Sequence, residues 1–289
     1  MKLAIGTVQF GVKYGVANRH GKVTHDDARA IIELSRASGL NTLDTAISYG
    51  DCEQRLGEIG IGDWRVVSKL PAIPANCDDI AQWVTGGVAG SLQRLKVKSL
   101  YGVLLHCPHQ LLERHGDQLY IALQRLKHSG LVHKIGISIY APTELDAFFG
   151  HYKFDLIQAP FSILDRRLID TGWLSRLADQ GSELHVRSIF LQGLLLMKPS
   201  DRPPQFTRWS ILWSQWDDWL KYSGQTPLQA CLRYALSFPQ IGRVIVGVDS
   251  VPQLREVLAA SKGVSPQIPD DIKTSDVELL NPANWAALC

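Results

Sequence analysis

Four residues that could move a proton lie at or just beyond the ends of three apolar runs: Asp44, Tyr49, Lys69 and His106. A carbonyl group that receives a hydride also needs a proton on its oxygen. A tyrosine can donate that proton if its pKa is lowered from about 10. A neighbouring ammonium group lowers the pKa of a phenol, and a carboxylate keeps the buried ammonium charged. We therefore expect Asp44 and Lys69 to tune Tyr49 as a general acid, with His106 holding the substrate oxygen.

Two alternating patterns in the sequence predict the strands and helices that bring these side chains together. Short apolar runs alternate with amphipathic stretches of helical spacing, which predicts parallel strands joined by right-handed crossovers. The predicted strands are Leu3–Gly6, Thr42–Asp44, Val66–Lys69, Gly102–His106, Ile135–Ser138, Leu156–Ala159, Leu184–Ser188 and Val244–Gly247. Eight such units fit a closed (β/α)8 TIM barrel, in which the carboxyl ends of all strands meet at one mouth. We predict an α/β fold with a single barrel domain over residues 1–289.

The first helix is predicted to begin at Thr24, where Thr24-His25-Asp26-Asp27 has the pattern of a capping box. The later helices are predicted at Asp79–Leu95, Gly116–Ser129, Thr143–Phe149, Gly172–Gln180, Thr226–Leu236 and Val251–Ala260. Two long connections are predicted to be loop insertions after strands 1 and 7. These are Gly11–Val23, which is long enough for a hairpin, and the proline-rich Lys198–Gln205.

An aromatic stripe follows the seventh strand. Trp209, Trp213, Trp216 and Trp219 recur there at helical spacing. Such a stripe usually packs against the body of the protein or a partner subunit, and a wall of the substrate pocket is the alternative. The tail Gly263–Asn284 is predicted to run irregularly along the surface.

The composition of the chain limits which binding partners and which cellular compartment we expect. Thirty Lys and Arg face 28 Asp and Glu, and no basic run is present, so nucleic acid is not an expected partner. The first apolar stretch is too short for a signal peptide, and no window approaches about 18 uninterrupted apolar residues, so no membrane span is expected. Cys52, Cys77, Cys107, Cys231 and Cys289 are scattered without a C-x-x-C pair. That usage favours a reducing cytoplasm, without disulfides or a metal site.

Four segments around the candidate residues match the signatures of a known family. They are Asp44-Thr45-Ala46-x-x-Tyr49-Gly50, Ser68-Lys69-Leu70, Leu104-Leu105-His106-x-Pro108 and Gly136-Ile137-Ser138. On these segments the chain resembles the aldo-keto reductases over nearly its whole length. The resemblance implies Tyr49 as general acid, Lys69 and Asp44 as its tuning pair, and His106 as the residue that orients the carbonyl. It also implies a nicotinamide cofactor in the barrel mouth, and no G-x-G-x-x-G follows a strand here.

The same resemblance implies which residues hold the cofactor. They are Thr7, Ser138, Gln158, Arg187, Ser188, Gly247, Val248, Gln253 and Glu256. Ile139 and Arg187 depart from the family's usual asparagine and from the tyrosine that stacks on the nicotinamide. Val246–Ser250 resembles the motif that cradles the adenosine phosphates, in a loop that opens a helix. The family favours NADP(H), while Asp249, near the position of a usual Lys or Arg, keeps NAD(H) open.

We therefore expect an oxidoreductase that reduces an aldehyde or ketone, a small-molecule carbonyl, in a cytoplasmic monomer or weak homo-oligomer. The run Gly6–Gly15 resembles members linked to sugar and polysaccharide metabolism, which makes a sugar-type carbonyl a candidate substrate. Two other classes stay open. Ile139 and Arg187 fit a catalytically weak sensor of cofactor redox state on the same scaffold. A cofactor-independent isomerase or lyase would use Lys69 as a Schiff base, but a lysine paired with a carboxylate is a poor nucleophile.

Overall fold

The computed structural model describes residues 1–18 and 21–288. Its strands are β1 (Leu3–Gly6), β2 (Thr42–Asp44), β3 (Arg65–Leu70), β4 (Leu100–Leu105), β5 (Val132–Ser138), β6 (Leu156–Pro160), β7 (Glu183–Arg187) and β8 (Ile241–Gly247). All neighbours in the sequence pair in parallel, and β8 closes the barrel on β1 with Leu3 opposite Val244 and Gly6 opposite Gly247. The predicted (β/α)8 barrel is confirmed, with each predicted strand in place.

Helices cover the outside of the barrel. They are α1 (Val8–Gly11), α2 (His25–Ala37), α3 (Cys52–Ile59), α4 (Ile80–Leu95), α5 (Gly116–His128), α6 (Glu144–Phe148), α7 (Arg167–Asp170), α8 (Trp173–Asp179), α9 (Ser210–Ser223), α10 (Pro227–Ser237), α11 (Val251–Ala260) and α12 (Val277–Leu280). Short 3₁₀ helices lie at Pro108–Leu112, Leu194–Leu196, Pro199–Asp201, Pro204–Trp209 and Pro282–Leu288. Each helix predicted from the sequence is present. The pattern does not predict α3, because the buried Glu53 and Gly57 interrupt its apolar face.

Local sequence explains where several elements begin. The Thr24 side chain accepts a hydrogen bond from the Asp27 backbone N–H at 3.1 Å, which caps α2 as the sequence predicts. Thr226 and Gln229 form a reciprocal capping box at the start of α10. Every residue of β1 and β6 is buried, since helices cover the outer face and side chains fill the interior.

Two strands end one residue earlier than the sequence predicts. His106 lies just beyond β4, although its backbone N–H still donates to the Leu70 carbonyl at 3.0 Å. Ser188 lies just beyond β7 with a φ of 62°, a left-handed conformation that ends the strand. Both residues therefore stand on loops at the carboxyl ends of the strands.

The long connection after β1 lines a cavity at this mouth with Tyr14, Gly15, Ala17 and Asn18, but its described residues do not form a hairpin. Among the described residues 11–18 and 21–23, this connection contains turns and no strand. The long connection after β7 is built from 3₁₀ helices, and Arg202 within it forms a bidentate ion pair with Asp217 of α9.

The tryptophan stripe packs against the C-terminal tail. Trp213, Trp216 and Trp219 are buried on α9. The indole N–H of Trp219 donates to the Gln267 carbonyl at 3.2 Å, and that of Trp209 to the Asp276 carboxylate at 2.9 Å. The stripe is therefore core beneath a largely irregular tail.

Three further features concern the class of protein. Cys52, Cys77, Cys107 and Cys231 are free thiols, and Cys289 lies outside the described residues. In the part of the chain that the structure describes, no helix has the length and apolar character needed to cross a bilayer. Nor do the described His, Cys, Asp and Glu side chains gather in any group of three that could hold a metal ion.

Candidate active site

Close approach of two loops positions Tyr49. The loop after β2 keeps pairing with β3, because the Thr45 N–H donates to the Val67 carbonyl at 2.8 Å. Gly11 faces this loop so closely that a Cβ there would lie 1.7 Å from the Tyr49 carbonyl oxygen. Gly50 has a φ of +57°, and a Cβ on it would lie 2.8 Å from the Gly11 carbonyl oxygen. Only glycine fits at both places, so this pair fixes the tyrosine loop against the start of the chain.

A buried ion pair lies beside Tyr49. The Lys69 ammonium donates to both carboxylate oxygens of Asp44 at 2.8 Å, and to the Thr45 carbonyl at 2.9 Å. Lys69 is only 1% exposed, and burial lowers its pKa while the Asp44 carboxylate opposes that effect. An ammonium has three N–H groups. All of them are therefore used, and this lysine is a poor candidate for a nucleophile.

The phenol of Tyr49 keeps its proton. Lys69 Nζ lies 5.2 Å from the centre of the Tyr49 ring. Burial raises the pKa of Tyr49 well above its usual range, and the Asp44 carboxylate adds to this rise, while the Arg187 guanidinium opposes it. The sequence predicts a lowered value. The difference arises because the phenol is buried close to the Asp44 carboxylate, while the Lys69 ammonium gives its hydrogen bonds to Asp44 and Thr45.

His106 completes the group as a neutral imidazole. Its ring meets the Tyr49 ring edge-on, with centroids 6.2 Å apart. Burial lowers the pKa of His106 to about 4, and the Lys69 ammonium adds to this fall. The Ser48 hydroxyl lies 3.4 Å from His106 Nδ1. When Nδ1 of the neutral ring accepts a hydrogen bond from this hydroxyl, the ring proton is on Nε2. Nε2 can then donate a hydrogen bond.

The four predicted catalytic residues therefore come together beside the cavity at the barrel mouth, which has a volume of about 330 Å³. Asp44 and Tyr49 line this cavity, as does the β8–α11 connection, whereas Lys69 and His106 are not among its lining residues. The predicted cofactor residues that line the cavity are Thr7, Arg187, Ser188, Gly247, Val248, Gln253 and Glu256. Thr7 contributes from a buried position, because its hydroxyl donates to the Asp44 carbonyl at 2.9 Å.

Ser138 and Gln158, the other two predicted cofactor residues, form a buried chain that ends on Asp44. The Gln158 amide donates to Asp44 Oδ1 at 2.6 Å, and the Ser138 hydroxyl donates to Gln158 Oε1 at 3.4 Å. Both side chains are at most 2% exposed. They therefore help Lys69 to hold the carboxylate in place, since Gln158 and Lys69 both donate to Oδ1.

Arg187 points into the mouth and is held there by the loop after β5. Its Nη2 donates to the Ile139 carbonyl at 2.9 Å, and its Nη1 to the Ser188 hydroxyl at 3.3 Å. The guanidinium lies 4.7 Å from the centre of the Tyr140 ring. Ile139 and Arg187, which depart from the usual asparagine and tyrosine of the family that the sequence resembles, thus contact each other.

Sequence reasoning does not identify three other residues that line the cavity: Gln9, Tyr14 and Gln192. The Gln192 amide donates to the Tyr14 hydroxyl at 3.2 Å, joining the loops after β1 and β7 across the mouth. A signal for this contact is the presence of glycines in both loops, since a Cβ on Gly193 would lie 2.6 Å from the Ala17 Cβ.

The part of the cavity beside the β8–α11 connection has features that suit a dinucleotide. Gln9 Oε1 is buried without a hydrogen-bond partner among the described residues. A Cβ on Gly247 would lie 2.1 Å from Gln9 Nε2, so this glycine makes room for the Gln9 amide. Helix α11 begins there, and a helix N-terminus favours phosphate. The residues present thus fit a nicotinamide dinucleotide.

Comparison with known proteins agrees with this geometry. The model of the Aldo/keto reductase family matches residues 2–272. L-galactose dehydrogenase of Arabidopsis thaliana is 26% identical over 297 residues, covering 96% of this chain and 91% of that protein. The Bacillus subtilis (strain 168) protein called uncharacterized oxidoreductase YqkF is 26% identical over 262 residues, covering 81% of this chain and 82% of its own. The holo form of aldo-keto reductase AKR11C1 from Bacillus halodurans has the same fold, with a TM-score of 0.73 at 21% identity over 92% of this chain and 88% of that one.

Proposed function

Because this chain belongs to the aldo/keto reductase family, a family of oxidoreductases, we propose that it reduces an aldehyde or ketone to the corresponding alcohol. The observation that carries the proposal is the protonated Tyr49 in the lining of the cavity, beside the buried Asp44–Lys69 pair and the neutral His106. These are the groups that carbonyl reduction needs for its proton.

The chain's own residues handle the proton and the oxygen. His106 Nε2–H donates a hydrogen bond to the carbonyl oxygen, which orients the carbonyl and withdraws charge from its carbon. A nicotinamide cofactor, when bound, would supply the hydride. Tyr49 Oη then gives its proton to the oxygen, and the O–H bond of the phenol breaks as the O–H bond of the alcohol forms. The phenolate is stabilised by the nearby Arg187 guanidinium, and it regains a proton from solvent.

The cofactor is proposed to lie against the residues that line the cavity, with Gly247, Val248 and the start of α11 toward its phosphates. The family resemblance favours NADP(H). The acidic side chains of Asp249 and Glu256 also line the cavity, and they favour NAD(H) because a carboxylate repels a 2′-phosphate. A fluorescence titration with NADPH and NADH decides between them.

A sugar-type carbonyl is the proposed substrate class, supported by the similarity to a protein named L-galactose dehydrogenase. The test is consumption of NADPH or NADH with a panel of aldoses, keto-sugars and simple aldehydes. Turnover of at least one carbonyl compound is expected. Tight cofactor binding without turnover of any member would contradict the reductase and support the redox sensor. A borohydride-trapped adduct on Lys69 would instead support Schiff-base chemistry, which the three hydrogen bonds of that ammonium oppose.

A further inference from the structure

Arg187 is a cation in the lining of the cavity that pairs with no carboxylate of the described residues. Among the described residues, no acidic side chain lies within ion-pairing distance of Arg187, whereas Lys69 is paired with Asp44. A guanidinium is always charged, and a charge in a partly enclosed site is costly unless something compensates it. The compensating group must therefore come from a bound molecule or from solvent.

The contacts of the Arg187 guanidinium also hold it in position to bind an anionic group. Two of its five N–H groups donate to Ile139 and Ser188, and its plane lies over the Tyr140 ring. The remaining N–H groups donate to no described protein atom. A planar fork fixed in this way matches the two oxygens of a carboxylate or phosphate, with little loss of side-chain entropy.

The position of Arg187 identifies which part of a bound molecule it would meet. It lines the cavity together with Tyr49 and Tyr14. Its charge acts on both Tyr49 and His106, lowering the pKa of each. An anion on Arg187 would thus lie near Tyr49 and His106, and so near the reacting carbonyl.

We propose that Arg187 binds an anionic group, a carboxylate or a phosphate, that the substrate carries near its carbonyl. The inference rests on the proposed reductase function and narrows it. The preferred substrates are aldehydes or ketones with an acidic group, such as sugar acids or sugar phosphates, rather than neutral carbonyl compounds. The other source of the same chemistry is the diphosphate of the cofactor, and the experiment separates the two.

The test compares two aldehydes of nearly equal size. One is para-carboxybenzaldehyde, and the other is its neutral amide, para-carbamoylbenzaldehyde; D-glyceraldehyde phosphate and D-glyceraldehyde form a second pair. The kcat/KM ratio of charged to neutral substrate is measured for the wild type, Arg187→Gln, Arg187→Lys and a control, Arg125→Gln, at an exposed arginine of α5. Calorimetry with the product para-(hydroxymethyl)benzoate and its amide, at saturating cofactor, gives a readout that does not need turnover.

The wild type is expected to favour the charged member of at least one pair by about tenfold or more, as a charge-assisted bidentate contact provides. Arg187→Gln should lower this ratio about tenfold, Arg187→Lys should restore part of it, and Arg125→Gln should leave it unchanged. The benzoate should lose affinity for Arg187→Gln by a similar factor.

Two results would overturn the proposal. The first is a wild-type ratio near one in both pairs with equal affinity for the benzoate and its amide. The second is an Arg187→Gln variant in which both members of each pair fall equally while the cofactor dissociation constant rises, which would assign Arg187 to the cofactor's diphosphate. If no aldehyde is turned over, the reductase function fails, while the calorimetry still decides whether Arg187 binds the anion.

Discussion

Asp44→Asn should destabilise the protein far more than its small change in shape suggests. Asp44 Oδ1 accepts from both Lys69 and Gln158, and Oδ2 accepts from Lys69. An asparagine amide nitrogen must therefore point a donor at another donor, and it leaves a 1% exposed ammonium without its counter-charge. Breaking a buried ion pair costs about 3–5 kcal/mol in the free energy of unfolding, roughly a factor of 10² to 10⁴ in the folding equilibrium.

Urea unfolding followed by tryptophan fluorescence measures this loss. The matched control is Asp63→Asn, which breaks the exposed ion pair with Arg36 and should cost at most about 1 kcal/mol. Adding Lys69→Met to Asp44→Asn should recover most of the stability, because the uncompensated charge is gone.

The pH dependence of Asp44→Asn has a defined sign. Without the carboxylate, burial and the Arg187 charge lower the pKa of Lys69 with little opposition, and its folded-state pKa falls further below the unfolded value of about 10.4. Between these two values the unfolded chain binds more protons, so the stability of the variant should rise with pH. A loss no larger than that of Asp63→Asn, or a double variant less stable than Asp44→Asn, would refute the role assigned to this pair.

Three further predictions concern the tyrosine and histidine loops. Because the pKa of His106 is about 4, kcat/KM should show no histidine ionisation between about pH 5.5 and 8, and an acid limb with a pKa near 6.5 would contradict a neutral ring. Ser48→Ala should lower kcat/KM about fivefold, the loss of one hydrogen bond of about 1 kcal/mol, while cofactor affinity stays unchanged; an equal loss in cofactor affinity would assign the serine a different role. Gly11→Ala should abolish most activity and lower the urea midpoint, since its Cβ would lie 1.7 Å from the Tyr49 carbonyl oxygen, and Gly62→Ala, where a Cβ meets nothing within 4 Å, is the control. A Gly11→Ala protein with normal activity would contradict the contact.

The barrel was predictable because its strands are buried on both faces and therefore read as continuous apolar runs. The fully buried β6 and the helix cap at Thr24 are examples in which local pattern and tertiary packing agree. The catalytic group was predictable for a related reason. A polar residue that follows such a run must lie at the mouth, where Asp44, Lys69 and His106 are found.

The polar contacts inside the site were not predictable from the sequence. The Gln158–Asp44 hydrogen bond joins residues 114 apart, and the Gln192–Tyr14 hydrogen bond joins residues 178 apart. The acceptors that an ammonium group binds depend on side-chain rotamers and loop paths rather than on residue type. The sequence therefore predicts that Lys69 lowers the pKa of Tyr49, whereas in the structure the N–H groups of Lys69 donate to Asp44 and Thr45.

The most direct test of the proposed reductase is single-turnover hydride transfer by Tyr49→Phe, with the exposed Tyr222→Phe as control. The variant lacks the hydroxyl that donates the proton, while its ring can still fill the same space. Its cofactor dissociation constant should match that of the wild type, and its rate of carbonyl reduction should fall by about 10² to 10⁴. Tyr222→Phe should behave as wild type. A Tyr49→Phe protein that binds cofactor and reduces the carbonyl at the wild-type rate would show that Tyr49 is not the acid.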